Sequence, residues 1–332
     1  DLSGDMPGGC WDLLPMSSYR AHNWHCLGEQ SRQPYASIYT SLGCPYSCFS
    51  MDSHVLLKDR IIRCAEEEIG AISIACPEAS HEHYLGLHDN RVIYQGAKAC
   101  IKIELSNGSD FTVTPDHPMY RVCDQKITRT QAGNLSVDDW LPIQIGQNEI
   151  IDRVILPEFD NELSVAGSKA NRGRYTQPKI MDEDLAWFIG YVIGDGCLPS
   201  DSRPAVHVAI KERSQERLLT VVPKLFGIFL SVTSASNTDK MQHGWIYSRQ
   251  VARFVRKLIG DDKHIPGAIF QSPKSVVKAF LNGLWCADGY WPPGYESYLT
   301  TINRRLALEV YSLLNWVGDA GVIRTIQNRG YK

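Results

Sequence analysis

Two stretches constrain the fold more than any other feature of this chain. "DLAWFIGYVIGDG" (184–196) and "VKAFLNGLWCADG" (277–289) are both apolar runs of helical length that end in Asp-Gly. Asp195 and Asp288 stand 93 positions apart, and in that frame Gly190 falls on Gly283 and Gly194 on Ala287. Each run is followed by a strand and then an amphipathic helix, "SQERLLTVVPKLFGIFL" in the first copy and "RRLALEVYSLLNWVG" in the second. A repeat of this length predicts two similar α+β subdomains packed together. The first copy goes on through "GWIYS" and the helix "RQVARFVRKLIG"; the second reaches "VIRTIQNRGYK" without an equivalent helix.

The repeat also carries chemistry. Small residues four apart share one helical face, so two such faces let helix backbones approach closely. Close approach brings the two C-terminal ends together, and with them Asp195 and Asp288. Two neighbouring carboxylates repel unless a cation lies between them, and a divalent metal with oxygen ligands answers that need. The competing reading is conformational, since Asp-Gly also ends helices. Charge adds a second clue. The net charge of −3 divides unevenly: residues 166–332 hold 22 Lys/Arg against 14 Asp/Glu, leaving 12 against 23 in residues 1–165. A basic half beside a metal site points to phosphodiester hydrolysis on nucleic acid.

"LAWFIGYVIGDG" and "FLNGLWCADG" resemble the paired motifs of LAGLIDADG homing endonucleases, and "KHIP" (263–266) resembles the Lys-x-Ile-Pro signature of those embedded in inteins. The resemblance spans roughly 182–332. It implies a Mg2+-dependent nuclease acting as a monomer on double-stranded DNA, with Asp195 and Asp288 as metal ligands and Lys263 as a supporting catalytic residue. The competing reading of Lys263 is a solvated surface charge.

From 48 to about 155 the pattern is β. "ACIKIELSNGSDFTVTPDHPMYRV" predicts a hairpin that turns at Asn107-Gly108, and "HVLLKD" and "DWLPIQI" predict further strands. "CFSMDSHVLL", with Cys48, Asp52 and Ser53, resembles the N-terminal splicing block of inteins. "TPDH" (114–117) resembles their Thr-x-x-His block, and "QAGNLSVDDWLPI" the following turn and strand of the Hint fold. The resemblance implies self-splicing. Cys48 attacks the carbonyl of Ser47, His117 protonates the leaving nitrogen, and Thr114 with backbone N–H groups holds the oxyanion. The competing readings are a cluster ligand or buried thiol for Cys48 and a turn histidine for His117.

Upstream, "RAHNWHC" and "QPYASIYTSLGCPYSC" resemble radical S-adenosylmethionine enzymes, particularly those with a cobalamin-binding domain. Cys44 and Cys48 keep the first spacing of a C-x3-C-x2-C cluster motif, but Met51 stands where the third cysteine belongs. The resemblance implies a host enzyme that uses a [4Fe–4S] cluster and S-adenosylmethionine, and cobalamin if it is of that kind. Cys44 would be the first cluster ligand, and Cys48 would be replaced after splicing. The expected organisation is multidomain: a short host segment (1–47), the N-terminal part of an all-β Hint splicing domain (48–165), and an endonuclease with two pseudo-symmetric repeats, the second incomplete (166–332). The chain is expected to be a fragment truncated at both ends. No apolar run approaches the ~18 residues that span a membrane. Ten cysteines without secretory features favour a reducing, cytoplasmic compartment. Cys100, Cys123, Cys197 and Cys286 read as small core residues. Two further readings remain: a stand-alone nuclease whose β domain no longer splices, and a DNA-binding module whose metal site is dead.

Overall fold

The two Asp-Gly runs form the centre of the helical half. The computed structural model describes residues 48–50, 96–143, 153–159, 175–197, 205–233 and 242–326, together with the backbone course of four strands between 54 and 92. Helix α1 (Glu183–Asp195) starts at Asp182, whose side chain accepts the Leu185 N–H at 2.9 Å. That bond satisfies one of the donors a helix start leaves over. Every residue from Leu185 to Ile193 is buried, so α1 is apolar all round, as a central helix must be.

The first repeat wraps α1 with a four-stranded antiparallel sheet and two helices. The strands are β9 (Gly196–Cys197), β10 (Val206–Ile210), β11 (Ser231–Thr233) and β12 (Gln242–Ile246), in the spatial order β11-β12-β10-β9. Strand β10 alternates Val206, His207, Val208, Ala209, Ile210; its valines and isoleucine are buried and the residues between face outward. Helix α2 (Glu212–Phe226) ends at Gly227, which takes the left-handed conformation (φ 66°) that only glycine adopts freely. Helix α3 (Arg249–Ile259) begins at the Ser248 cap.

In the second repeat a short turn of helix, α4 (Gly267–Phe270), leads into α5 (Lys274–Asp288). Two short paired strands, β13 (Gly289–Tyr290) and β14 (Tyr298–Leu299), precede α6 (Arg304–Val317). The single apolar core of this half includes Trp187, Phe188, Phe226, Phe254, Phe270 and Phe280, all essentially inaccessible. Burying such a side chain is worth roughly 1.5–3 kcal/mol. The core reaches back to Val154 and Leu156, whose strand-like segment pairs with 179–181 through Leu156 N–H to Lys179 O and Met181 N–H to Val154 O.

The β half is built differently. Among the described residues, eight strands pair two by two: β1 (His54–Leu56) with β2 (Ile62–Cys64), β3 (Gly70–Pro77) with β4 (Leu85–Val92), β5 (Ile101–Glu104) with β6 (Asp110–Val113), and β7 (Pro118–Cys123) with β8 (Lys126–Gln131). The expected turn at Asn107-Gly108 is present. Gly108 has φ 83°, and Asn107 Oδ1 accepts the Ser109 N–H at 3.0 Å. "DWLPIQI" contributes one isolated bridge, Trp140 to Val122, among the described residues. In residues 96–143 only Val113, Thr114 and Ala132 are buried.

Three of the four cysteines expected in the core lie on the surface. Cys100, Cys123 and Cys197 are exposed and Cys286 is half-buried. The strands are short and alternate, so strand register overrides side-chain type. In β9, Gly196 takes the inward position and Cys197 the outward one, and Cys123 is the last residue before the tight turn at Asp124-Gln125. No helix among the described residues is long and apolar enough to cross a membrane.

Candidate functional site

Helices α1 and α5 meet through their glycines. A methyl group at Gly190 would overlap the carbonyl oxygen of Phe280, and one at Gly283 would overlap that of Trp187. These contacts are reciprocal: Trp187 and Phe280 occupy the same place in the two copies, as do Gly190 and Gly283. One further turn along, a Cβ on Gly194 would lie 2.5 Å from the Ala287 Cβ and 3.6 Å from the Asp288 Cβ. The helix ends therefore converge, and Asp195 and Asp288 sit side by side within interaction range.

The conformational reading of Asp-Gly does not account for these ends. Gly196 and Gly289 have φ −85° and −72°, ordinary extended backbone that any residue adopts. What excludes a side chain there is space: a Cβ would come within 2.4 to 2.5 Å of the Val192 and Trp285 carbonyl oxygens. The aspartates are the last residues of their helices, Asp195 half-buried and Asp288 exposed.

Cations surround the pair. Lys211, at the β10–α2 junction, has its Nζ 3.2 Å from Asp195 Oδ2 and also donates to the Ala287 carbonyl at the end of α5. Tyr191 fixes this junction, donating to Ala209 O at 2.8 Å and accepting the Lys211 N–H at 3.3 Å. Arg213 donates to the carbonyls of Trp285, Cys286 and Gly289 at 3.0–3.2 Å and stacks on Trp291. It closes the C-terminal end of α5 as a cation should. Lys263 does the same for α1, donating to Gly196 O at 2.6 Å and Ile193 O at 3.4 Å. The Lys263 backbone is left-handed (φ 56°). Its loop is pinned by Glu309, fully buried on α6, which accepts the Ile265 N–H at 3.2 Å and the Arg305 Nε–H at 2.9 Å. Burial pushes the Glu309 carboxyl above its usual range, and those two donors oppose the rise.

Burial also raises the Asp195 carboxyl; Lys211 pulls it down, and Asp288 pushes it further up. Asp195 Oδ2 is buried and accepts no well-aligned hydrogen bond, the Lys211 ammonium being its ion-pair partner. A buried carboxylate oxygen whose partner is an ammonium, beside a second carboxylate, fits a hard divalent cation. No group of three or more His, Cys, Asp or Glu is gathered among the described residues. Two carboxylates suit Mg2+, which keeps waters and takes its remaining ligands from a substrate phosphate.

A second cluster lies in the β half. Cys48 N–H donates to Thr114 Oγ1 at 3.0 Å, Thr114 N–H donates to Cys48 O at 2.8 Å, and the Thr114 hydroxyl donates to Cys48 O at 3.3 Å. The Phe49–Val113 bridge carries this strand-like pairing on. Thr114 thus engages the nitrogen of the Ser47–Cys48 peptide and the carbonyl after it. The splicing resemblance implies a place for it on the Ser47 oxyanion; position 47 is outside the described residues. His117 follows the Thr114 turn, its N–H donating to Thr114 O at 3.0 Å. Its ring faces the Cys48 carbonyl, and burial pushes its pKa down, opposed by that carbonyl and by Asp116. His117 Nδ1 is buried without a hydrogen-bond partner.

The structure thus gathers two sets of expected residues, Asp195 with Asp288 and Lys263, and Cys48 with Thr114 and His117. Cys44 lies outside the described residues, as do the side chains of Asp52 and Ser53. Lys211, Arg213 and Lys98 were not found by sequence reading. The one available signal for Lys211 and Arg213 was their position directly after the alternating strand 206–210.

No family model matches the chain. Among curated proteins, a subunit of the A-type ATP synthase of Pyrococcus horikoshii is 23% identical over 198 residues, 57% of this chain. The replication factor C small subunit of Methanocaldococcus jannaschii is 22% identical over 302 residues, 85% of this chain. The matched parts span 19% and 14% of those two proteins. Among solved structures, the homing endonuclease I-DmoI in complex with DNA and Mn superposes on 45% of this chain and 85% of its own, at 17% identity and a TM-score of 0.35.

Proposed function

We propose that the helical half is a Mg2+-dependent DNA nuclease of the LAGLIDADG homing-endonuclease kind. The observation that carries this reading is the convergence of Asp195 and Asp288 at the ends of two helices packed glycine to backbone. The two carboxylates would hold the cation. When bound, it supplies charge to the phosphate oxygens and lowers the pKa of attacking water. Lys211 and Lys263 line the same cleft and favour an anionic phosphate there. The outward face of the first repeat's sheet presents His207 tilted against Trp245, with Trp245 stacked on Tyr247, a surface suited to a duplex. The test is cleavage of a random duplex-DNA library in Mg2+. The full chain should select and cut a site; the double variant Asp195→Asn, Asp288→Asn should lose roughly 10³-fold in rate. Equal cutting by both proteins would refute the reading.

The cluster at Cys48 favours a second activity in the same chain, self-splicing within a Hint domain. Thr114 Oγ1 holds the very nitrogen that must leave when the Cys48 thiol attacks Ser47, and the half-buried His117 stands next to it. The likeness to short parts of two functionally unrelated proteins fits an element inserted into different hosts. Here the host would be a radical S-adenosylmethionine enzyme with a [4Fe–4S] cluster at Cys44, a proposal supported by the sequence of residues 1–47 alone. Hydroxylamine should release residues 1–47 from the wild-type chain and not from Cys48→Ala. Release from both, or from neither, would count against splicing.

A further inference from the structure

Lys98 lies just ahead of β5, half-buried, and its Nζ is 3.1 Å from Cys48 Sγ. The sequence is silent about this contact, because fifty positions separate the two residues and neither splicing block contains Lys98. Asp116 is the carboxylate that faces Lys98, and Lys98 helps to hold that carboxyl below its usual range, after the larger effect of the Thr114 hydroxyl. His117 is the other titratable group of the cluster, and its burial favours the neutral ring. Among these groups Lys98 is the cation that touches the sulfur.

We propose that Lys98 is a further catalytic residue of the Cys48 site, its ammonium donating to Sγ and stabilising the thiolate that attacks the Ser47 carbonyl. The proposal rests on the splicing reading. A thiolate is the nucleophilic form of cysteine, and a neighbouring lysine is one of the features that favour it. The step balances without a redox partner. The thiol proton passes through water to the neutral His117 ring, the C–S bond forms, the C–N bond of the Ser47–Cys48 peptide breaks, and His117 hands that proton to the freed nitrogen and returns to its neutral form. Lys98 remains charged throughout and offsets the charge on sulfur until the thioester has formed. Hydrogen bonds with Thr114 hold Cys48 beside the end of β6, and the Asp116 carboxylate lies within charge range of Lys98.

The test separates the lysine from the splicing reading. The rate of Cys48 alkylation by iodoacetamide, read from the Cys48 peptide by mass spectrometry, is measured for the full chain, Lys98→Met and Lys98→Arg at pH 7 and pH 10. Lys98→Met should react roughly tenfold more slowly at pH 7, the rate equivalent of one hydrogen bond to a charged group. The deficit should vanish at pH 10, well above the ordinary range for cysteine thiols, and Lys98→Arg should restore most of the rate at pH 7. Unchanged alkylation in Lys98→Met, or an equal loss at both pH values, would overturn the proposal, the latter by showing that Lys98 governs access and not charge. Hydroxylamine release of residues 1–47 from the wild-type chain is scored in parallel. Its absence would sink the splicing reading while the alkylation comparison still decides the role of Lys98 at the thiol.

Discussion

The two clusters of this chain are held in opposite ways. Asp195 ends a helix buried from Leu185 to Ile193, Asp288 one whose inner face is buried, and their spacing is set by backbone meeting backbone at Gly190 and Gly283. Cys48, Thr114 and His117 are held by a handful of hydrogen bonds at the edge of a hairpin unit with few buried residues. The first geometry is a consequence of core packing, and moving the carboxylates means disrupting that core. The second is local, and single hydrogen-bonding groups control it. A site set by packing should respond steeply to added volume, and one set by hydrogen bonds to the loss of a polar atom.

The largest effect should come from filling the helix contact. Gly283→Val places side-chain carbons against the Trp187 carbonyl, with no flexible neighbour to give way. Overpacking of this kind costs roughly 1–3 kcal/mol or more. Chemical denaturation should show the helical half destabilised by at least that amount, while alkylation of Cys48 stays at its wild-type rate. A stable Gly283→Val protein would mean that the helices do not meet as described.

Next comes Lys211→Met. Removing the ammonium beside Asp195 leaves the carboxylate pair without its partner, so Mn2+ should bind more tightly, on the order of tenfold. DNA cleavage should fall nonetheless, because the cleft loses a charge that faces the phosphate. Titration calorimetry reads the first effect. Weaker Mn2+ binding would show that Lys211 supports the metal site instead of standing in for the ion.

How far the sequence foretold these sites follows from the same contrast. The helix pair was legible because close packing leaves a mark in residue type: Gly190 and Gly283 recur at one spacing with Asp195 and Asp288, and nothing larger fits. The hairpin at Asn107-Gly108 was legible because its turn needs a positive φ. Lys211 and Lys98 left no such mark. A lysine in sequence looks the same on a solvated face as beside Asp195 or Cys48, and only the tertiary fold brings either one to its partner. Cys197 and Cys123 were misread because short strands place residues by alternation, which overrides an apolar preference.

A smaller effect is expected at His117. Burial lowers its folded pKa below the unfolded value, so the unfolded chain binds more protons as pH falls from about 7. Protonation therefore opposes folding. Stability of the β half should decline as pH drops through the range between the two values, then level off. His117→Gln should flatten that slope. An identical pH profile in the variant would place the ring in solvent.

The central claim is that Asp195 and Asp288 form one divalent-metal site. A crystal of the full chain grown with Mn2+, with anomalous difference density collected at the manganese edge, tests it most directly. The account predicts a peak between the two carboxylates, within roughly 2.0–2.3 Å of an oxygen from each, and its disappearance in the Asp195→Asn, Asp288→Asn variant. A peak bound elsewhere, or one that survives in the double variant, would contradict the account.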